Sequence, residues 1–410
     1  MNKKFFPIQS ATACRLKWSW STLYLNDGTT SSCHRASFGA IPDNFDDFHN
    51  THEKLRDRSL MLNGQWPENG CEYCRDIEYS GGQSDRQFQN QVPDIWSPEL
   101  ADDTTAITVS PAILEVFFNN TCNLACVYCK PELSSRIEAE RRKFNISTMP
   151  VTSYDQHIEK FWSWMHSHGH KIQRLQILGG EPLLQQDFDR VLDYYTTNPA
   201  QNLELNIITN ACVPEKIWTK KLDQLADLVH NKCVGRVDLQ ISVDSWGAGQ
   251  EYVRWGFDTD LFEHNLKYAQ SKKCFRIGLL STISSLSILE MPALARKFVE
   301  WNQEQEIFWY MQLVLPVGVS VFEPVVFDYS VFEEALEQVK NTLPTKTWDQ
   351  QQTVQTFCGI DQKLKAMCSN NVLRQQNLLK FLETNDYRRG TNWQQTFPWL
   401  IKHLDNSYVV

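Results

Sequence analysis

The sequence predicts an α/β protein built on a parallel sheet, open or curled into a partial barrel, with a loop-rich segment before it and a helical segment after it. Three observations carry this expectation. From Ile113 onward, short apolar runs alternate with longer amphipathic stretches, as repeated strand-helix units do. Before about Asp103, turn chemistry is dense and helical periodicity is sparse: Asn26-Asp27-Gly28, Pro42-Asp43, Asn63-Gly64, Asn69-Gly70 and Gly81-Gly82. Beyond Phe322, apolar residues recur at helical spacing. With 410 residues, the chain is long enough for two or three packed units. Hydrophobic residues at 42% and charged residues at 22% exclude a wholly disordered or collagen-like chain.

Taken in order, the strands are expected near Ile113 to Phe118, Ile172 to Leu178, Leu203 to Ile208, Arg236 to Val243, Arg276 to Thr282 and Ile307 to Val314. Between them lie helical patterns near Ser153 to His168, Gln185 to Thr196, Pro214 to Asn231, Thr259 to Gln270 and Ile288 to Glu300. Strict alternation of six strands with helices implies parallel pairing, because a parallel connection needs a crossover. The tail offers helices near Val331 to Thr342, Gln351 to Met367, Asn371 to Thr384 and Trp393 to Leu404, expected to pack on the sheet domain. The polar run Ala101-Asp102-Asp103-Thr104-Thr105 reads as a linker. The expected domains are therefore 1–105, 106–320 and 321–410.

A net charge of -9 lacks the positive field on which non-specific nucleic-acid binding relies. No run of about 18 apolar residues occurs, and Pro7 interrupts the start before a signal-peptide apolar region forms, so a soluble, cytoplasmic protein without membrane attachment is expected. Disulfides are rare in that compartment, and twelve cysteines there point to metal or iron-sulfur chemistry.

The sharpest signal is Cys122-Asn123-Leu124-Ala125-Cys126-Val127-Tyr128-Cys129, a C-x3-C-x2-C run directly after the first of the six strands. Thiolates at this spacing converge on one soft metal centre. A structural zinc site wants four protein ligands, whereas three thiolates on a four-iron cluster leave one iron open. Buried structural cysteines, or zinc completed by a distant residue, are the plain alternatives.

This run, with an aromatic residue before its last cysteine, resembles the signature of the radical S-adenosylmethionine (SAM) superfamily. The resemblance implies a partial (βα)6 TIM-like barrel and a SAM-binding 4Fe-4S cluster on Cys122, Cys126 and Cys129. It also implies Tyr128 beside the adenine, and reductive cleavage of SAM to a 5'-deoxyadenosyl radical that abstracts hydrogen from a substrate. Further matches end successive strands. Gly179-Gly180-Glu181-Pro182 resembles the family's GGEP motif, which holds the SAM amino group. Paired glycines let backbone approach a ligand, and Glu181 is an acceptor for an ammonium group; alone, the segment reads as an ordinary strand-to-helix turn. Thr209-Asn210 resembles the TN turn. Ser242 and Asp244 resemble the S-x-D element near the SAM ribose and carboxylate. Arg254 resembles the basic residue at that carboxylate, although an arginine in this position is also an ordinary surface charge. The fifth strand, Gly278 to Ile283, matches loosely and carries no assigned site residue. These matches span about Ile113 to Pro316.

In the front segment, Cys14 and Cys33 frame a C-x13-G-x4-C pattern through Gly28, followed later by Cys71-Glu72-Tyr73-Cys74. The arrangement resembles the twitch domain, the short form of the SPASM domain, and implies one auxiliary 4Fe-4S cluster on these four cysteines. Here the module precedes the core, whereas in the family it follows. A zinc ribbon uses the same four ligands, and in both readings metal substitutes for a sizeable apolar core. Cys212, Cys233, Cys274, Cys358 and Cys368 have no assigned role. For Cys212, next to the Thr209-Asn210 turn, a hydrogen-donor role stands beside that of a buried structural thiol.

By resemblance to SPASM and twitch enzymes, the expected substrate is a ribosomally made peptide undergoing crosslinking, epimerisation or oxidation, with flavodoxin or ferredoxin as electron donor. Alternatives are a small-molecule or RNA substrate, or a non-catalytic iron-sulfur or zinc-binding interaction protein; an RNA-modifying enzyme calls for a basic channel that the overall charge does not suggest. Trp18, Trp20, Trp162, Trp164, Trp246 and Trp255 fit core packing or a peptide-contact surface. Tyr387-Arg388-Arg389-Gly390 with Trp393 fits a solvated face or a contact for an acidic partner.

Overall fold

The computed structural model describes residues 5–404 apart from 34–35, 37, 69, 93–94, 148–153 and 315–319. The expected turn residue Asn69, the first residue of the helix expected at Ser153, and Pro316 lie outside the described residues. The strands are β1 (Trp20–Tyr24), β2 (Thr29–Ser31), β3 (Gly39–Ala40), β4 (Ile113–Phe117), β5 (Ala125–Cys126), β6 (Arg174–Leu178), β7 (Ala200–Thr209), β8 (Val234–Ser242), β9 (Arg254–Trp255), β10 (Phe275–Ile283) and β11 (Ile307–Leu313). Nine of them form one sheet in the order β11-β10-β8-β7-β6-β4-β1-β2-β3, and β5 pairs with β9. The pairs β1–β4, β4–β6, β6–β7 and β10–β11 are parallel. The six expected strands are all present, as are the helices between them, Tyr154–His168, Gln186–Thr197, Glu215–His230, Thr259–Ser271 and Met291–Trp301. Along β4, Ile113, Leu114 and Val116 are inaccessible and Glu115 between them is buried as well, so the strand reads as an apolar run broken by one buried carboxylate.

The chain divides into two compact units, one of residues 1–120, 149–207 and 228–237 and another of residues 121–148, 208–227 and 238–410. The expected boundaries at 105 and 320 do not coincide with this division. In the first unit β1 lies parallel to β4, with Trp20 opposite Ile113 and Tyr24 opposite Phe117, so the front segment contributes strands to the sheet. The front segment, expected to be loop-rich with little helical periodicity, also carries helices, at Arg15–Ser19, His52–Leu62, Glu72–Tyr79, Asp85–Asn90 and Pro98–Asp102. The reason is visible in His52–Leu62. Its buried positions are Lys54, Asp57, Arg58 and Met61, spaced as one helical face but mostly charged, so hydrophobic periodicity is silent.

Those buried charges replace part of an apolar core. Arg58 donates from Nε to the Lys17 carbonyl (2.6 Å) and from Nη1 to the carbonyl of Ile107 (2.7 Å) and the side chain of Asn50 (2.7 Å). Arg15 donates to the carbonyls of Ile95, Gln89 and Val92. Each guanidinium thus satisfies backbone carbonyls, those of loop residues Ile107, Ile95 and Val92 and of helical residues Lys17 and Gln89. Around them pack Phe6, Ile8, Leu16, Trp18, Met61, Trp96 and Leu100.

In the second unit the tail helices Glu333–Thr342, Trp348–Met367 and Val372–Arg389 share one packed body with β10 and β11. The Trp309 amide, for example, donates to Thr353 Oγ1 at 3.4 Å. The last expected helix is broken into Trp393–Thr396 and Pro398–Leu404, because Pro398 cannot continue a preceding helix.

Candidate active site

The cysteine run leaves β4 and is held at three points. Cys126 in β5 pairs with Arg254 in β9, and the Val127 amide donates to the Val253 carbonyl at 2.8 Å. The helix Ser135–Lys143 begins against the loop: its N-cap, Ser134, accepts from the Ile137 amide and donates to the Leu124 carbonyl (2.7 Å), and Ser135 Oγ accepts from the Cys122 amide (3.1 Å). Asn210 donates to Asn123 Oδ1 (2.9 Å) and accepts from the Cys212 amide (2.8 Å), while Asn123 donates to the Cys212 carbonyl (2.8 Å). The Thr209-Asn210 turn therefore anchors the cysteine loop. Ala211, at φ 54°, and the hydrogen bond its backbone N–H donates to Thr209 Oγ1 (3.2 Å) shape that turn.

Behind Cys126 lies a buried polar knot. Arg254 donates from Nε to Asp244 Oδ2 (2.9 Å) and from Nη2 to Asp244 Oδ1 (3.0 Å), and its Nη1 lies 3.9 Å from Cys126 Sγ. The Tyr128 hydroxyl bonds to Asp244 Oδ2, and the Thr282 amide donates to Asp244 Oδ1 at 2.8 Å. Asp244 and Arg254, expected at the SAM ribose and carboxylate, are joined to each other here, and Ser242 is buried at the end of β8. Burial works against the Arg254 charge, but Asp244, Tyr128 and Cys126 outweigh it and raise its pKa well above the ordinary arginine value. Burial likewise raises Tyr128, so the phenol stays protonated. Burial pushes the Cys126 thiol up, opposed by Arg254, and burial with Cys126 alongside pushes Cys129 up to about 12.

Cys126 and Cys129 border a cavity of about 360 Å3, whose wall also includes Glu140 and Arg389. Cys122 sits apart from that wall, with the Leu124 amide directed at its Sγ (3.4 Å).

In the other unit, Gly179 (φ 85°) and Gly180 (φ 55°) end β6 in left-handed backbone. A Cβ on Gly179 would stand 2.6 Å from the Phe117 ring, so this position excludes larger residues on two grounds. Glu181 is fully buried and accepts from the Leu183 amide at 3.3 Å.

Cys14, Cys33, Cys71 and Cys74 all line one cavity of about 30 Å3, with Lys17, Asp85 and Arg86. Burial, with Cys33 beside it, pushes Cys14 up to about 12, and burial pushes Cys71 up to about 11 against the pull of Lys17. Lys17, 2.7 Å from Asp57, keeps its charge: burial lowers its pKa, but Cys71 and Asp57 raise it further. Four soft donors in the lining of one cavity, beside a cation, are of the chemical type that thiolate-bound metal centres use. In the cysteine loop, Arg254 places a cation beside one soft donor, its Nη1 3.9 Å from Cys126 Sγ. Among the described residues, no three His, Cys, Asp or Glu side chains are grouped to hold a single metal ion.

Sequence reasoning gave Asn123 and Arg136 no role, and it named Trp255 and Arg389 without placing them at the cysteine loop. Arg136 Nη1 donates to the Asn123 carbonyl at 2.5 Å and its guanidinium stacks 4.1 Å from the centre of the Trp255 ring. Asn123 lies inside the motif and was readable as a polar spacer; the others required the β5–β9 pairing. Of the unassigned cysteines, Cys212 is buried with its Sγ 3.7 Å from the Asp258 carbonyl, and Cys368 Sγ lies 3.7 Å from that of Pro324. Trp18, Trp162 and Trp164 are core residues.

No family model matches the sequence, and no curated protein matches it. Among solved structures, the chain is similar to native anSMEcpe with bound AdoMet and Kp18Cys peptide, at 16% identity and a TM-score of 0.38 over 56% of this chain and 59% of that one. It is also similar to Streptococcus suis SuiB bound to S-adenosylmethionine, at 14% identity and a TM-score of 0.40 over 71% of this chain and 63% of that one. A second SuiB structure gives 15% identity and a TM-score of 0.40, over 71% and 62%. The chain thus spans about three-fifths of the length of these structures. Likeness at this level assigns no activity to the chain. No helix among the described residues is long and apolar enough to cross a membrane.

Proposed function

We propose that the chain is a radical SAM enzyme whose reactive cluster is held by Cys122, Cys126 and Cys129, with an auxiliary cluster on Cys14, Cys33, Cys71 and Cys74. The observation that carries this reading is the β5–β9 pairing, which sets Cys126 against Arg254 while Cys126 and Cys129 open onto one cavity. A bound four-iron cluster with SAM supplies reductive cleavage of the sulfonium, giving methionine and a 5'-deoxyadenosyl radical. The chain's own residues prepare the place. Arg254 offsets thiolate charge beside Cys126, Asp244 fixes the guanidinium, and Asn210 fixes the loop through Asn123. Gly179, Gly180 and Glu181 carry the motif-based role at the SAM amino group, and Ser242 that at the ribose. The substrate, by the same motif resemblance, is a ribosomally made peptide, and a flavodoxin or ferredoxin delivers the electron.

The test is product analysis on anaerobically reconstituted, dithionite-reduced protein incubated with SAM. The full chain should form 5'-deoxyadenosine and Cys126→Ala should form none. Product from Cys126→Ala, or none from a fully iron-loaded wild type, overturns the assignment; the second outcome is that of a non-catalytic iron-sulfur protein. Peptides and free amino acids offered side by side separate a peptide substrate from a small one.

A further inference from the structure

The helix Val372–Arg389 and the helix Ser135–Lys143 contribute the cavity beside Cys126 and Cys129 with an excess of hydrogen-bond donors. At about 360 Å3 its volume lies in the range of small-ligand pockets, about 300–1,000 Å3. Its wall carries four cations, Arg141, Lys380, Arg388 and Arg389, and one carboxylate, Glu140. That carboxylate is already engaged, because Arg389 Nε donates to Glu140 Oε2 at 2.9 Å. The Arg389 side chain is only 5% exposed, yet its Nη1 has no hydrogen-bond partner; neither has the buried Nε of Arg141.

Buried polar groups in native structures are nearly always satisfied, so two unpartnered guanidinium nitrogens on one cavity wall call for a partner that the protein does not provide. Both are donors only, and the partner is therefore an acceptor. Four cations against one occupied carboxylate select an anionic one, and a guanidinium fork matches the oxygens of a carboxylate or phosphate. The helix ends at Gly390, in left-handed conformation, and its negative C-terminal pole is offset by the same last-turn arginines. Arg389 is also held above Trp255, 5.4 Å from its ring centre, which restricts the direction of the fork. Tyr387, by contrast, is 80% exposed, so the Tyr387-Arg388-Arg389 run is not uniformly a solvated face.

We infer that this cavity is an oxyanion subsite, in which Arg141, Arg388 and Arg389 seat a carboxylate or phosphate group of the substrate. Only the naming of the ligand as substrate rests on the radical SAM reading; anion binding does not.

The experiment is calorimetric titration of the full chain, without and with its clusters, using citrate and inorganic phosphate at low ionic strength. At least one anion should bind, and Arg388→Gln and Arg141→Gln should each weaken it about tenfold or more, with unchanged circular dichroism. Citrate alone binding marks a carboxylate-bearing ligand, and phosphate alone a phosphate-bearing one. Binding by neither, or equal binding in both variants, overturns the subsite. Loss of iron from both variants with anion affinity unchanged assigns the cations to the cluster and also overturns it. Displacement of citrate by S-adenosylmethionine gives the cavity to SAM and removes the assignment to substrate. Absence of 5'-deoxyadenosine with citrate still bound overturns the radical reading and leaves the anion subsite standing.

Discussion

Asp244 and Arg254 meet in a two-point ion pair, 2.9 and 3.0 Å, with the aspartate inaccessible to solvent and the Arg254 side chain 9% exposed. Tyr128 and the Thr282 amide complete the aspartate's hydrogen bonds, and Arg254 continues toward Cys126. The pair thus joins the motif on β8 to the cysteine loop.

Asp244→Asn leaves the buried guanidinium uncompensated and is expected to lower stability by about 3–5 kcal/mol. Urea denaturation measures this. Adding Arg254→Met in the same chain should recover a large part of the loss; a double variant no more stable than Asp244→Asn argues against direct coupling.

Gly179→Ala introduces a Cβ 2.6 Å from the Phe117 ring at a backbone φ of 85°. The combined overpacking and strain should cost about 1–3 kcal/mol. Combining it with Phe117→Leu should relieve the packing part and leave the backbone part, as read from thermal unfolding.

His49 is buried between Ser21 and the Trp18 carbonyl, and burial, reinforced by Arg58 and Lys54, holds its pKa well below the ordinary histidine value. The unfolded chain therefore binds this proton first, so the His49 contribution to stability is complete above about pH 6.5 and is lost as pH falls below it, at up to about 1.4 kcal/mol per pH unit. His49→Gln should flatten the slope of unfolding free energy between about pH 6.5 and 5. An unchanged slope assigns acid sensitivity to other groups.

Cys71→Ser with Cys74→Ser removes two of the four donors around the front cavity. Metal analysis of anaerobically purified protein should show about four irons fewer per chain if the site holds an auxiliary 4Fe-4S cluster. Loss of one zinc instead identifies a ribbon, and no change in metal content removes the site.

The six strands from Ile113 onward were legible because each carries apolar residues that are buried in the sheet, and the intervening helices showed a 3.6-residue pattern. The cysteine motif was legible from spacing alone. The front helices were not, since His52–Leu62 turns Lys54, Asp57 and Arg58 inward. Nor was β1, whose Trp20-Ser21-Thr22-Leu23-Tyr24 mixes polar and apolar residues and is stabilised as a strand by pairing with β4. Among site residues, Asn210 and Arg254 stood in recognisable motifs, while Arg389 lay in a run whose burial no local pattern reports.

By itself, then, the sequence determined which segments alternate as strand and helix and which cysteines are grouped along the chain, because both depend on neighbours within a few residues. The tertiary structure alone decided that Cys14 and Cys71 line one cavity, that Arg254 is committed to Asp244, and that Arg389 comes to the cysteine loop from a helix some 260 residues away. These pairings are set by which surfaces bury each other and which buried charges find partners; Cys14 with Cys71, and Arg389 with the cysteine loop, share no short window of the chain, and Arg254 with Asp244, ten residues apart, is fixed by burial that no local pattern reports.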